Sequence, residues 1–344
     1  MTPRLFTTGG VIIDNVVSHN GALVRGQIGG NAVYSAAGAR LWLDPVGICA
    51  RIPENYPRPM LAALAAGGLA PLALSVDPVA VDLEEWFFYR TDGERRDHLH
   101  ATAATADACG MVGERVSPAA AAAFERRLSD HPPQGRDFAG YRRAHPVEPA
   151  HVPEAVWAAG AIHLAPNRPY ATLALARAAR ARGLIVTCDP GSHAAAMDAA
   201  YLDQLLPLVD AFLPSRRELA MLAPDRPPEA ALLALAGRVR GAVGVKLAGE
   251  GSLIALRGSD RCEAIGALTV PVVDPTGAGD AYCGGFLSGL LLGEPPLIAA
   301  RRATVSAAFA VETRGPLPLL AVTRAQAEAR LSTFSAPHPI RNQP

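Results

Sequence analysis

Lysine, aromatic residues, net charge and long apolar runs are all scarce in this chain. Lysine occurs once, at Lys246, and arginine carries every other basic charge. The 32 basic residues are balanced by 32 acidic ones, giving a formal net charge of zero. With no basic excess to neutralise a polymer of phosphates or an anionic bilayer, nucleic-acid and membrane binding are excluded as the main role. Cysteine is sparse and odd in number: Cys49, Cys109, Cys188, Cys262 and Cys283 are scattered, with no C-x-x-C pair. They read as small buried hydrophobes in a reducing compartment, not as a disulfide frame or a zinc site. The opening M-T-P-R-L-F-T-T-G-G lacks the apolar core of a signal peptide, and no uninterrupted apolar stretch approaches spanning length. The expected location is therefore cytoplasmic. Two nucleotide-binding signatures are also missing. No G-x-x-x-x-G-K-[ST] is present for a P-loop, and no G-x-G-x-x-G follows the first predicted strand.

Against these absences stands one dense stretch, V-P-V-V-D-P-T-G-A-G-D-A-Y-C-G-G-F-L-S-G-L-L-L, from Val270 to Leu292. Val270, Val272 and Val273 predict a strand that stops at Asp274-Pro275, because proline cannot continue a ladder. Gly277 and Gly279 then bracket Ala278, and a helix is predicted to begin there. Such a junction is an anion cradle. The first N–H groups of a helix lack partners, the helix dipole adds positive charge, and glycine lets a ligand approach the main chain. Asp280 falls in the first turn, where beyond capping it is placed to take a proton from a hydroxyl attacking a phosphoryl group. An ordinary capped helix with glycines chosen for a tight turn is the competing reading.

The order D-x-T-G-A-G-D, carried by Asp274, Thr276, Gly277, Ala278, Gly279 and Asp280, resembles the signature of the ribokinase-like (PfkB) family of small-molecule kinases. The resemblance implies a three-layer α/β/α fold with a mainly parallel central sheet and a small β lid. It implies ATP-dependent phosphorylation of a small-molecule alcohol, with Asp280 as base and the Gly277 to Gly279 amides as oxyanion hole. Asp274, Thr276, Lys246, Gly249, Gly251 and Glu218 are implied around the nucleotide, and adenine would pack near Thr313-Arg314-Gly315. Mg²⁺ is expected to have no direct protein ligand, being held through ATP and water near Glu218. The acceptor is expected to be a sugar or sugar derivative. A nucleoside or vitamin precursor is the alternative, and a ligand-binding or regulatory member without catalysis is a third reading. The resemblance also allows a homodimer through the lid.

The remainder reads as strand and helix units of a single domain over residues 1–334. Leu5 to Asp14 predicts a first strand ending in a carboxylate, and such carboxylates face the ligand crevice of open α/β sheets. Gly10 to Asp14 matches the family's G-x-x-x-D, whose aspartate binds the sugar; a turn or cap role for Asp14 is the alternative. Val16 to Gly30 predicts short strands of the lid, at about 15–30. The run Trp86-Phe87-Phe88-Tyr89-Arg90 completes it, at about 84–102. Those aromatics read as the lid's own core, a dimer contact or a stacking surface, and Arg90 and Arg95 as grips for a substrate phosphate or as solvated charges. Gly29-Gly30-Asn31-Ala32 leads into an alanine-rich helix, where the resemblance makes Gly30, Asn31 and Tyr34 substrate contacts. Tyr34 stands where family members usually carry asparagine, and Asn31 would also serve as an N-cap. Ser215-Arg216-Arg217-Glu218 is a capping box at the family's N-x-x-E, so Glu218 caps a helix, organises phosphate and magnesium, or both. Lys246, at a strand end, reaches phosphate or solvent. The prolines of 129–154 predict an irregular insertion without helices, outside the resemblance. The tail 335–344 is Pro-rich and polar and reads as disordered.

Overall fold

The computed structural model describes residues 2–91, 95–130 and 137–334. In chain order the strands are β1 (Leu5–Thr8), β2 (Ile12–Val17), β3 (Leu23–Gly29), β4 (Val46–Pro53), β5 (Leu69–Asp77), β6 (Glu84–Tyr89) and β7 (Arg95–His100). They continue with β8 (Ala161–Leu164), β9 (Ile185–Cys188), β10 (Ala211–Phe212), β11 (Ala242–Lys246), β12 (Ser252–Leu256) and β13 (Cys262–Ile265). Nine of them form one sheet in the order β13-β12-β11-β10-β9-β8-β1-β4-β5, and β3-β2-β6-β7 form a second, smaller one. The large sheet is parallel from β11 to β5, with β12 and β13 antiparallel at one edge.

The period-two alternation of a strand explains why helices cover both faces of the large sheet. Leu5, Ala161, Ala211 and Ala242 point to one side, and their neighbours Phe6, Ile162, Phe212 and Val243 to the other. The first side packs on helices Asn31–Arg40, Ala278–Leu291 and Pro296–Val311. The second packs on Pro169–Ala181, Ala199–Leu205 and Pro228–Ala236. The result is the expected three-layer α/β/α arrangement with a small accompanying sheet.

In the small sheet, Val17, Leu23, Trp86 and Phe88 pack on Ala106, Phe124 and Leu128 from helices Ala103–Ala108 and Pro118–Asp130. Trp86 meets Phe124 edge-on at 4.9 Å between centroids. The opposite face carries Ile12, Val16 and Phe87 against Phe138 and Tyr141. The lid aromatics therefore build the lid's own cores.

Three expectations are corrected. The first strand ends at Thr8 and not at Asp14, because Gly9 turns the backbone at φ 141. Asp14 instead lies inside β2 of the small sheet, opposite Gln27 and Glu85. Val270 to Val273 form no strand: the Val273 and Asp274 amides donate to the Val311 carbonyl at 2.7 and 3.1 Å, at a helix C-terminus with carbonyls to spare. Within 129–154, prolines bracket helices without entering their interiors, so Phe138–Ala144 and Glu154–Trp157 form. Pro132, Pro133 and Gly135 of that segment, and the tail 335–344, lie outside the described residues. No helix among the described residues is long and apolar enough to cross a membrane.

Candidate active site

Gly277 caps the helix Ala278–Leu291 in the left-handed conformation, φ 75, which only glycine adopts without strain. Its missing side chain matters twice, since a Cβ there would overlap the Tyr34 ring. The helix is held by close approach. A side chain at Gly38 would strike the Ala281 backbone, and one at Gly284 the Ser35 carbonyl. Interior glycines cost a helix roughly 1 kcal/mol each, and here that cost is offset by packing that fixes the direction of the turn. Asp280 sits half-buried in the first turn. Ala278 N makes only a long 3.3 Å turn bond to the Pro275 carbonyl.

Beneath this turn lies the single lysine. Lys246 Nζ donates to Asp189 Oδ2 at 2.5 Å, approaches Cys283 Sγ at 3.7 Å, and would stand 3.7 Å from a Cβ at Gly279. It is thus an ion-paired, largely buried cation and not a solvated one. Burial works against the ammonium, but Asp189, then Cys283 and Glu218, raise its pKa well above the usual lysine range. Asp189, at the end of β9, spends Oδ1 on the Gly191 amide at 3.0 Å. The predicted capping box forms: Ser215 N donates to Glu218 Oε2 at 2.7 Å, and Glu218 N to Ser215 Oγ at 3.4 Å. Burial, reinforced by Asp189, pushes the Glu218 carboxyl up. Gly251 is required by the β11–β12 turn, where a Cβ would overlap the Ile265 carbonyl, whereas Gly249 faces open space.

Asp274 is buried, and its Oδ1 accepts from the Thr276 amide at 2.9 Å while Oδ2 has no partner among the described residues. Thr276 Oγ1 shares a 2.8 Å hydrogen bond with Tyr89 Oη, which latches the lid onto the signature segment. On the same side, Asp14 is 1% exposed and its Oδ1 is also unpartnered. Burial pushes the Asp14 carboxyl up to about 8, opposed by Arg95 and reinforced by Glu85, Asp274 and Asp280. Burial likewise pushes Asp280 up to about 6, with Asp189 adding to the rise and Lys246, Arg95 and Arg142 opposing it. Asp14, Asp274 and Asp280 therefore lie near enough for the charges of the last two to act on the first.

Asn31 is not the cap expected of it. Gly30 is the N-cap residue, without a side-chain bond, and Asn31 Oδ1 accepts from the Gly10 amide at 2.7 Å. Tyr34 is buried between the two ends of the site, and its hydroxyl accepts from Gln27 Nε2 at 3.3 Å. Arg90, largely exposed, pairs with Glu125 at 3.3 Å. Arg95, in contrast, acts on Asp14 and Asp280. Tyr89 and Arg142 were not foreseen as site residues. Asp137, whose Oδ1 accepts from Gly140 N at 2.7 Å, was the available signal for the helix that carries Arg142.

Comparison with known proteins agrees with this architecture. The model of the pfkB family of carbohydrate kinases matches residues 125–321, more than half of the chain and including the proline-rich segment. A nucleoside kinase of Methanothermobacter thermautotrophicus is 29% identical over 224 residues, 64% of this chain and 69% of that protein. The nucleoside kinase of Burkholderia thailandensis, solved with inosine, superposes with a TM-score of 0.70 at 19% identity, covering 97% of this chain and 100% of that one. Ribokinase of Arabidopsis thaliana, solved with ribose and ATP, gives 0.70 at 20% identity over 97% and 100%. At those identities the two structures show the shared fold.

Proposed function

The chain belongs to the pfkB family of carbohydrate kinases and is a small-molecule kinase with an alcohol acceptor, acting on a sugar or a nucleoside, and from that premise we propose that it moves the terminal phosphoryl group of ATP onto a sugar hydroxyl held between Asp14 and Asp280. The observation that carries this reading is Asp280 itself. Its carboxyl stands in the first turn of a glycine-capped helix, with a pKa of about 6, near enough to act on Asp14 with its unpartnered oxygen. A base in that range is ionised at neutral pH yet strong enough to share an alcohol's proton.

In the proposed mechanism Asp14, neutral at pH 7, donates a hydrogen bond to one acceptor hydroxyl and its free Oδ1 accepts from another. Asp280 takes the proton of the attacking hydroxyl. The Gly277 to Gly279 amides stabilise charge growing on the phosphoryl oxygens, with the paired Lys246 beneath them. The lid latch between Tyr89 and Thr276 keeps water from the reacting atoms. Gly249, in the β11–β12 turn, faces open space, where a nucleotide would lie. Among the described residues no cluster of three acidic, His or Cys side chains could cage a metal. Magnesium would be held by the nucleotide's phosphates and neutralise their charge, with Glu218 and Asp274 Oδ2 reaching it through water.

A sugar or sugar derivative is the first acceptor to try, and the nucleoside kinase relative makes a ribonucleoside the second. The apolar faces of the small sheet are covered by the chain's own helices, so a homodimer through the lid would use its edges. Five free thiols suit the reducing cytoplasm. The test is ADP formation from ATP with a panel of sugars, ribonucleosides and vitamin precursors. Turnover with a neutral sugar or a nucleoside is expected. Ligand-dependent thermal shifts without ADP would identify a binding protein instead.

A further inference from the structure

The helix Phe138–Ala144 brings to the site an arginine that the mechanism above leaves without a task. A buried network pins this helix. Asp77, at the end of β5, accepts from Arg51 Nε at 3.1 Å, from Arg51 Nη2, and from Tyr141 Oη at 2.5 Å. The His145 ring stacks on Tyr141 at 4.7 Å, and its Nδ1 lies 3.2 Å from Arg51 Nη2. Arg51, Tyr141 and His145 thus satisfy Asp77 and fix the helix against the ends of β4 and β5.

Next to Tyr141 stands Arg142, half-buried, with its guanidinium laid against Gly10, where an added Cβ would be 2.9 Å from Cζ. Gly10 is the residue whose amide Asn31 holds and whose carbonyl abuts Gly30, so the guanidinium lies at the acceptor end. Its charge acts on Asp280. Among the described residues it makes one hydrogen bond, at 3.5 Å, from Nη2 to the Pro166 carbonyl. A guanidinium has five donors, and in this half-buried one most of them are left for water or for an arriving anion. The anion that arrives beside Asp280 is the phosphoryl group in transfer, whose charge spreads over equatorial oxygens that suit a planar fork.

We propose that Arg142 is a catalytic residue that grips the transferring phosphoryl group from the acceptor side, opposite the Gly277 to Gly279 amides, and that Asp77, through Tyr141, positions it. This rests on the kinase reading. The test is calorimetric titration of the full chain with MgADP alone and with MgADP plus aluminium fluoride, a mimic of the phosphoryl group in transfer that needs no knowledge of the acceptor. Arg142→Ala should bind MgADP within about twofold of wild type and lose ~10²- to 10³-fold of the affinity that aluminium fluoride adds. Equal increments in the two proteins, zero included, would overturn the proposal. Absence of MgADP binding by wild type would remove the kinase reading and this proposal with it.

With an acceptor in hand, Arg142→Ala should lower kcat by a similar factor at nearly constant acceptor KM, and added guanidinium should restore part of it. A raised KM at constant kcat would assign Arg142 to acceptor binding and overturn the role. Tyr141→Phe should lower kcat about tenfold in the wild-type background and not at all in Arg142→Ala; additive losses would overturn the positioning role. If Arg142→Ala melts early, Arg142→Gln supplies the same comparisons.

Discussion

The two ends of the proposed site are built in opposite ways. The transfer end is local: Asp274 to Asp280 are consecutive in the chain, with Ala278 to Asp280 in the first turn of the helix Ala278–Leu291 and Asp274 to Gly277 in the turn before it. The acceptor end gathers Gly10, Asp14, Asn31, Tyr34, Tyr89 and Arg142, from the turn after β1, from β2, from a helix start, from β6 and from a helix beyond residue 137. A site made of backbone amides requires particular residue types in sequence, because only glycine accepts the left-handed turn and the approach of a ring. A site made of side chains requires only that each be delivered, and the chain is free to deliver them from anywhere. In the proposed mechanism the base and the amides come from one consecutive segment, while the acceptor contacts and Arg142 are dispersed over the chain.

Asp280→Asn tests the transfer end most severely. It should cost ~10² to 10⁴ in kcat, with MgATP affinity unchanged by calorimetry. A loss below tenfold would dissolve the distinction between the ends.

Tyr89→Phe probes the seam between them. Removing the 2.8 Å bond to Thr276 forfeits about 0.5–1.5 kcal/mol, so the acceptor KM should rise roughly 2- to 12-fold while the KM for ATP stays put. An effect on ATP alone would assign the latch to the transfer end.

Asp14→Asn gives the smallest expected effect, and it is on stability. Burial pushes the folded-state pKa up to about 8 from the ordinary 3.8, so the folded protein holds the proton more tightly and ionisation becomes a penalty as pH rises through that window. The asparagine variant should melt a few degrees above wild type at pH 9, with the gap closing towards pH 4, while its acceptor KM rises. A variant less stable at pH 9 would show that the Asp14 carboxylate is satisfied in the folded state.

The same contrast explains what was legible in the sequence. The glycine turn, the capping box at Ser215 and Glu218 and most parallel strands follow from local rules, and they formed as expected. Asp14, Asp274 and Asp280 also came close enough to act on one another, although Asp14 lies inside β2 of the small sheet and no strand precedes Asp274. What stayed hidden depended on distant partners. Val270 to Val273 had the composition of a strand, but the Val311 carbonyl took the amides that would have anchored it. Lys246 looked solvent-bound until Asp189, 57 positions away, supplied its counter-charge. Asn31 had the residue type of a cap and spent its oxygen on Gly10 instead. Arg142 lay in a segment whose prolines suggested an irregular insertion without helices, although they only punctuate short ones.

The most direct measurement is kcat from pH 5 to 9 for wild type and for Asp280→Asn under saturating ATP and acceptor. Wild type should fall about tenfold per unit below a limb near 6, where Asp280 takes up its proton, and the slow residual rate of the variant should cross that region flat. The same acid limb in both proteins would mean that another group titrates there and that Asp280 is not the base.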